Sequence, residues 1–491
     1  MKNILTAKEM KSFDEATIAK HKVPSMVLME RAAISVNDLI DDKYPEVESI
    51  CVLCGPGNNG GDGVAVARLL YLKGYNASAI LIGDKKKFSN QLNEQIEIAK
   101  SYNVPLKYGF DSNVYADLFV DAMFGIGLKR GLEGEFAAAA KHINDSGKPI
   151  IAVDIPSGLD TDCGRILGEV AVKANMVVTF AYLKKGLILG ECKDYVDEIF
   201  VADVGIYGDP TNSYLLGEEV LDLIPERQAT ANKGTCGKIL VVAGSESIYG
   251  ACYLSAKAAL VTGSGLVKIY THTNNISSIQ QALPEAMYLG YESFNKKELL
   301  EQMNWADVIL IGPGLGTSQL SEAIMTTVLE NADKPMIIDA DGINLAAKNM
   351  ELLKAASDRI EIILTPHLKE MERLTGIKVS EINYSMEEVA KEFIKKIKCT
   401  LILKNFTTVI AAENKIYYCI SGNQALATPG SGDVLSGVVS SLAGQGLSAA
   451  NSATIGAYIH GVAGTNASRN RNIKSVLASD IIQELTNIKK L

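Results

Sequence analysis

A chain of 491 residues with 47% hydrophobic and 21% charged residues has the balance of a well-packed soluble protein of two or three domains. Its net charge of -9, with no strongly basic segment, excludes a nucleic-acid surface, where lysine and arginine must neutralise phosphates. No uncharged run reaches membrane-spanning length, residues 1–20 hold no apolar signal core, and the eight cysteines are scattered, so a cytoplasmic protein with reduced thiols and no membrane partner is expected.

In chain order, Thr6 and Glu9 have the spacing of a capping box and predict a first helix, and Pro24 opens a second through Met26, Leu28, Met29 and Ala33. Apolar runs at 50–53, 79–82, 118–120, 150–153 and 176–180 then alternate with helical stretches, which predicts strand-helix-strand units on a mostly parallel sheet. Cys51 and Cys54 form a C-x-x-C. On a strand, however, residues three apart face opposite sides, so both are expected to be core thiols. The pattern loosens between Gly205 and Gly237, around Gly208, Asp209, Pro210, Asn212 and Pro225, and divides the chain into domains 1–217 and 218–491. A second strand series follows at 239–242, 266–269, 308–311, 336–338, 362–364 and 401–403. It ends in a hairpin of 409–412 and 416–420, turning at Glu413 and Asn414. Both halves are α/β without an obvious repeat, which indicates a fusion.

In the second half, T-P-G-S-G-D at 428–433 runs directly into a helix of small residues. Glycines let successive amides converge, and the helix adds its positive end, so the turn suits a phosphate. Asp433 beside that anion hole is placed to take a proton from an attacking hydroxyl, although Gly-x-Gly-Asp alone describes an ordinary N-cap. Context separates the two readings: G-P-G-L-G at 312–316, D-A-D-G-I-N at 339–344, T-P-H with Glu370 from 365, and the polar segment 404–408 all follow strands, at the sheet edge where α/β ligands bind. This order of motifs, ending in P-G-S-G-D-V-L-S-G, resembles the ribokinase-like fold and, more narrowly, its ADP-dependent NAD(P)H-hydrate dehydratase branch over residues 225–491. The resemblance implies loss of water from the S-epimer of hydrated NADH or NADPH, driven by ADP or ATP, with AMP and phosphate released from ADP. It implies that Asp433 and His367 contact the hydrate and that Ala251, Gly314 and Gly316 line its pocket. Lys404, Asn405, Phe406, Thr407 and Thr408, with Asn423, Gly430, Ser431 and Gly432, would bind ADP. Magnesium is expected with the nucleotide, held by the substrate in the absence of an all-protein cage.

In the first half, G-P-G-N-N-G-G-D-G at 55–63 joins a strand to a helix. A tight turn needs one or two glycines, so five glycines with two asparagines favour a phosphate cradle. Residues 55–60 spell G-P-G-N-N-G, but the stretch is not read as a Rossmann fingerprint, and no P-loop lysine is present. The next strand ends at Asp121 and leads to G-I-G-L-K-R-G at 125–131, and the following one gives D-I-P-S-G-L-D at 154–160. Asp121 and Asp154, at adjacent strand ends, have the place of ordinary caps, but together with Asn59 and Ser157 they also offer hard oxygen donors for a cation. These motifs resemble the NAD(P)H-hydrate epimerase family over residues 1–217, a Rossmann-like three-layer sandwich. The resemblance implies interconversion of the R and S hydrates. Asn58, Asn59, Gly60, Gly61 and Asp62, then Gly125, Ile126, Gly127, Leu128, Lys129, Arg130 and Gly131, and Asp154 would meet the hydrate. Asn59, Asp121 and Ser157 would hold potassium, and Asp154 is the candidate acid/base. Inversion through ring opening and inversion through transient water loss both remain open.

Bifunctional repair of NADHX and NADPHX is therefore expected, in a protein that resembles homo-oligomers. The rivals are a small-molecule kinase of the ribokinase-like type and a first half that only binds or scaffolds. His21, His142, His272 and His460 are read as isolated surface or core residues, Trp305 as packing, and Lys85, Lys86 and Lys87 as a solvated loop.

Overall fold

The computed structural model describes residues 1–209, 211–469 and 471–489; Pro210, one of the residues in the loosened stretch, lies outside them. The chain divides into two compact units, Asn3–Thr211 and Asn212–Leu491 with Met1–Lys2.

In the first unit the strands are β1 (Lys2–Leu5), β2 (Ser49–Cys54), β3 (Asn76–Leu81), β4 (Leu106–Tyr108), β5 (Leu118–Ala122), β6 (Ile150–Val153), β7 (Ala174–Phe180), β8 (Leu183–Lys184) and β9 (Val196–Ala202). Seven of them form a parallel sheet in the order β4-β3-β2-β5-β6-β7-β9. Both faces are covered. Val52 and Cys54 of β2 join a core with the helices Ser25–Lys43, Asn58–Leu72 and Asn90–Ser101, while Cys51 and Leu53 join another with Glu135–Asp145. The expected three layers are present, and the two cysteines face opposite sides. Burial pushes the Cys51 thiol up to about 12, so it is inert packing. The Thr6–Glu9 capping box also forms: the Thr6 hydroxyl accepts from the Glu9 amide at 3.2 Å and the Glu9 carboxylate accepts from the Thr6 amide at 2.8 Å.

Sequence patterning did not find β1, β4, β8 or β9. Among the described residues strand β9 pairs only with β7, and it carries exposed Asp197, Glu198 and Phe200, so its side chains lack the alternation that a covered strand must have. The pair β1–β8 sets Leu5 opposite Lys184 and is too short to leave a pattern.

The second unit contains β10 (Ser213–Leu215), β11 (Lys238–Val242), β12 (Leu266–His272), β13 (Met287–Tyr291), β14 (Val308–Ile311), β15 (Met336–Ile338), β16 (Ile362–Leu364), β17 (Thr400–Leu403), β18 (Thr408–Ala412) and β19 (Lys415–Cys419). Within this unit they are ordered β13-β12-β11-β14-β15-β16-β17-β18-β19-β10. The pairs β17–β18 and β18–β19 are antiparallel and the others parallel. Glu413 turns the expected hairpin at φ +54°. The helix Ser431–Gly444 packs on Gly250–Val261 so closely that a Cβ on Gly437 would overlap the Ser255 carbonyl. That contact fixes where the helix begins, and hence where Asp433 stands.

Candidate functional site

In the first unit, the loops that follow β2, β5 and β6 enclose a cavity of about 870 Å³. Asn58, Asn59 and Asp62, the segment from Gly125 to Arg130, and Asp154 all line it. Gly60, Gly61 and Gly131 are packed instead. A Cβ on Gly60 would overlap the Gly55 carbonyl, one on Gly61 would lie 2.7 Å from Met29 Cε, and one on Gly131 would lie 2.7 Å from the Leu167 carbonyl. Gly55 and Gly63 are likewise required by Met123 and Ala122, leaving only Gly57 of the five glycines in open space. The glycine count therefore reflects packing of the turn. The signal for a ligand lies in Asn58, Asn59 and Asp62.

Asp121 and Ser157 do not line the cavity; they bond the backbone of the lining residues Met123 and Phe124. Asp121 is fully buried; one oxygen accepts from the Ser157 hydroxyl at 2.7 Å and the Met123 amide at 3.1 Å, the other from the Ser157 amide at 2.8 Å. Burial pushes this carboxyl up to about 6, against the pull of those hydrogen bonds. All these partners are neutral, so an ionised Asp121 has room for a cation's charge. The Asp121 carboxylate and the Ser157 hydroxyl are hard oxygen donors bonded to each other, and the Asn59 amide oxygen faces the Gly125 turn. Asn59 is incompletely satisfied, since its buried Nδ2 has no hydrogen-bond partner among the described residues.

Asp154 follows β6 at φ +71°, a left-handed conformation uncommon for a non-glycine residue. Its Oδ1 meets Lys184 Nζ at 2.7 Å and accepts from Thr179 at 3.2 Å. Its Oδ2 faces Gly125, where an added Cβ would lie 3.2 Å from it and 3.1 Å from Asn59 Oδ1. Among the lining residues that sequence reasoning missed are the charged Lys184 and Asp14. Neither belongs to a motif: Asp14 sits in the first helix and Lys184 in a two-residue strand. Burial, helped by Asp154 and Asp14, raises the Asp62 carboxyl well above its ordinary value; burial, then Glu15 and Asp154, raises Asp14.

In the second unit, β14 to β17 deliver their loops to one edge. Lys404 follows β17 and meets Asp339 Oδ1 at 3.1 Å, an oxygen that also accepts from Thr365 at 2.6 Å. A Cβ on Gly432 would lie 3.2 Å from Lys404 Nζ and 3.9 Å from Asp339 Oδ2, so the start of the helix Ser431–Gly444 stands directly over this pair. Gly430 precedes the helix at φ +87°, and its own added Cβ would lie 3.8 Å from Asp433 Oδ2. Burial, and then Asp339, push the Asp433 carboxyl up to about 7, while Lys404 pulls it down. Glu370 is raised to about 7, chiefly by burial.

His367 caps the helix Leu368–Thr375, accepting the Glu370 amide at Nδ1 at 3.2 Å; burial, Lys404 and Arg373 lower its pKa and favour the neutral ring. Ala251 and Gly314 are neighbours, since a Cβ on Gly314 would lie 3.0 Å from Ala251 Cβ. Gly316 donates its amide to Asp341 at 2.9 Å.

Among the remaining expected nucleotide residues, Asn405 bonds Asn383 at 2.9 Å, Phe406 is exposed, Thr407 is buried and Thr408 begins β18. Asn423 caps a short turn and donates to Ser468 at 2.9 Å. Ser431 bonds His460 Nε2 at 3.1 Å. That corrects the view of His460 as isolated: it is a core residue, kept neutral by burial that pushes it down to about 4, and it supports the first turn of the helix Ser431–Gly444. The other set-aside residues have local roles. His142 bonds the Val114 carbonyl at 2.8 Å, His272 caps a short turn, and Lys268 lies 4.0 Å over the Trp305 ring. Lys87 of the lysine run also lines the first cavity.

A family model described as NAD(P)H-hydrate dehydratase matches residues 239–487, and one described as YjeF-related protein N-terminus matches 25–186. The bifunctional NAD(P)H-hydrate repair enzyme of Moorella thermoacetica is 34% identical over 98% of this chain and 96% of its own. That of Coxiella burnetii is 32% identical over 93% of each. Among solved structures, the Bacillus subtilis ADP/ATP-dependent NAD(P)H-hydrate dehydratase co-crystallised with ATP and magnesium is similar at 30% identity and TM-score 0.50, over 57% of this chain and 98% of its own. A ribokinase-like superfamily protein from Enterococcus faecalis is similar at 26% identity and TM-score 0.51, over 57% and 96% respectively.

Proposed function

The chain belongs to the family of bifunctional NAD(P)H-hydrate repair enzymes, and from that premise we propose how its two sites divide the work. The first unit interconverts the R and S hydrates of NADH and NADPH. The second dehydrates the S hydrate at the expense of ADP, releasing AMP and phosphate.

The observation that carries the second assignment is Asp433: a carboxyl near pKa 7, at the first turn of a helix, over the Lys404–Asp339 pair. Hydroxide is a poor leaving group. Transfer of the terminal phosphoryl of ADP to the hydrate hydroxyl converts it into phosphate, which departs readily. Asp433 takes the hydroxyl proton as that oxygen attacks phosphorus, and AMP leaves. The amides of Gly430, Ser431 and Gly432 and the Lys404 ammonium stabilise the charge on the transferring group. Loss of phosphate, with a proton from the adjacent ring carbon, restores the dihydronicotinamide. His367 and the Ala251–Gly314 contact border the hydrate, while 404–408 and Asn423 take the nucleotide. Magnesium, when bound with the nucleotide, neutralises phosphate charge; the nucleotide phosphates hold it.

In the first unit, Asp154 exchanges a proton with the hydrate, and Asn58, Asn59, Asp62 and the 125–131 loop hold it in place. Asn59, Asp121 and Ser157 would hold potassium, which would supply fixed positive charge beneath the substrate. Replacing potassium by a larger organic cation is expected to lower epimerisation and leave nucleotide binding unchanged. We also infer a cytoplasmic homo-oligomer; the eight free thiols support the compartment, and light scattering tests the assembly.

The decisive experiment supplies mixed R and S NADPH hydrates with ADP, magnesium and potassium, and follows dihydronicotinamide absorbance and phosphate. Full recovery of NADPH from both epimers, abolished by Asp433→Asn, is expected. A folded, nucleotide-binding protein that recovers no NADPH would overturn the assignment in favour of a small-molecule kinase.

A further inference from the structure

Lys184 is a cavity residue that no motif contains. It is wholly buried, yet it lines the cavity. An ammonium has three N–H donors. Here Nζ has three acceptors: Asp154 Oδ1 at 2.7 Å, the Thr179 hydroxyl at 2.8 Å and the Phe180 carbonyl at 2.8 Å. The Thr179 hydroxyl in turn donates to Asp154 Oδ1 at 3.2 Å. Both donors therefore fall on one carboxylate oxygen, and the other is left toward Gly125 and Asn59 on the cavity side. The backbone fixes the ammonium in place: Thr179 and Phe180 end β7, and Lys184 is held in β8 by its pairing with β1.

A buried ion pair is a poor way to gain stability, because a hydrophobic side chain of similar volume does as well or better. Holding Asp154 at φ +71° adds a further cost. The arrangement is explained if it fixes one catalytic oxygen.

We propose that Lys184 is a positioning residue of the epimerase site, which clamps Asp154 through Oδ1 so that Oδ2 alone meets the hydrate. This rests on Asp154 being the proton-carrying residue of that site. Lys184 acts through Asp154, so its loss lowers kcat and leaves KM near its starting value.

The test measures R-to-S conversion by chromatography without ADP, using the full chain and its Lys184→Met, Asp154→Asn, Thr179→Val and Lys184→Met/Asp154→Asn variants, with thermal unfolding as the check on folding. Lys184→Met is expected to lower kcat about 100-fold, the scale of a misplaced reacting group. KM should be unchanged, and the double variant should be no slower than Asp154→Asn. Thr179→Val, a milder change, is expected to lower kcat roughly threefold. A Lys184→Met enzyme with unchanged kcat, or a loss that adds in full to that of Asp154→Asn, overturns the proposal. If Lys184→Met does not fold, Thr179→Val decides, and an unchanged kcat there overturns it. Wild-type epimerisation by Asp154→Asn instead removes the assignment of Asp154 itself, and this inference with it.

Discussion

The two sites are built from the same parts, an aspartate, a lysine and further carboxylates, yet the lysine is joined to a different member in each. In the first unit Lys184 meets the candidate catalytic residue, Asp154, at 2.7 Å, and the raised carboxyls are its neighbours Asp62 and Asp14. In the second unit Lys404 meets Asp339 at 3.1 Å, and it is the catalytic candidate, Asp433, that is pushed up to about 7. A cation bonded directly to a carboxylate fixes its orientation. Bonded to a neighbour, it leaves the carboxyl exposed to desolvation and to that neighbour's charge. The first arrangement suits a residue whose placement matters, and the second a base poised near neutral pH. Both sites also place a non-glycine residue at positive φ just after a strand, Asp154 at +71° and Ala340 at +50°.

The largest expected effect separates the units. Asp433→Asn should lower ADP-dependent NADPH recovery by about 10³-fold or more while R-to-S conversion continues, as read by absorbance and chromatography. Loss of both activities would break the comparison.

Gly55→Ala should do the reverse. A Cβ there overlaps the Met123 carbonyl, and the disruption is expected to cost about 3 kcal/mol or more, abolishing epimerisation while conversion of pure S hydrate persists.

The pH dependence sharpens the contrast. As a base with a pKa of about 7, Asp433 should give the dehydratase an acidic limb near that pH, the rate falling tenfold per unit below it. Lys404 lowers this pKa, so Lys404→Met should move the limb to higher pH.

Stability follows by linkage. A carboxyl raised from 3.8 to about 7 on folding binds its proton more tightly in the native state. Stability from this group is therefore greatest below the unfolded value and declines as pH rises toward 7. Asp433→Asn should accordingly stabilise the second unit at pH 8 by roughly 1–3 kcal/mol in denaturant unfolding, and little at pH 4.

The smallest effect tests strain. Ala340→Gly should stabilise the chain by about 1 kcal/mol, because glycine adopts that φ freely.

Much of this was legible without coordinates. The strands 308–311, 336–338 and 362–364 and the Thr6–Glu9 cap follow from local patterns, because burial on both faces and free helix amides act within a few residues. The order of motifs identified the ribokinase-like half, and the boundary loosening falls near the division at Thr211 and Asn212. Glycine counting was a weaker guide, because Gly55, Gly60, Gly61 and Gly63 answer to Met123, Gly55, Met29 and Ala122, contacts that no local rule reveals.

The sequence by itself determined which elements form and which loops carry polar and glycine-rich motifs, since periodicity and turn chemistry are short-range. Tertiary structure alone decided that Lys184 and Asp14 join the first cavity, that His460 braces Ser431, and which carboxylate each lysine bonds. Those choices set the acid–base character of each site, and they depend on burial and on distances of a few ångströms between residues far apart in the chain.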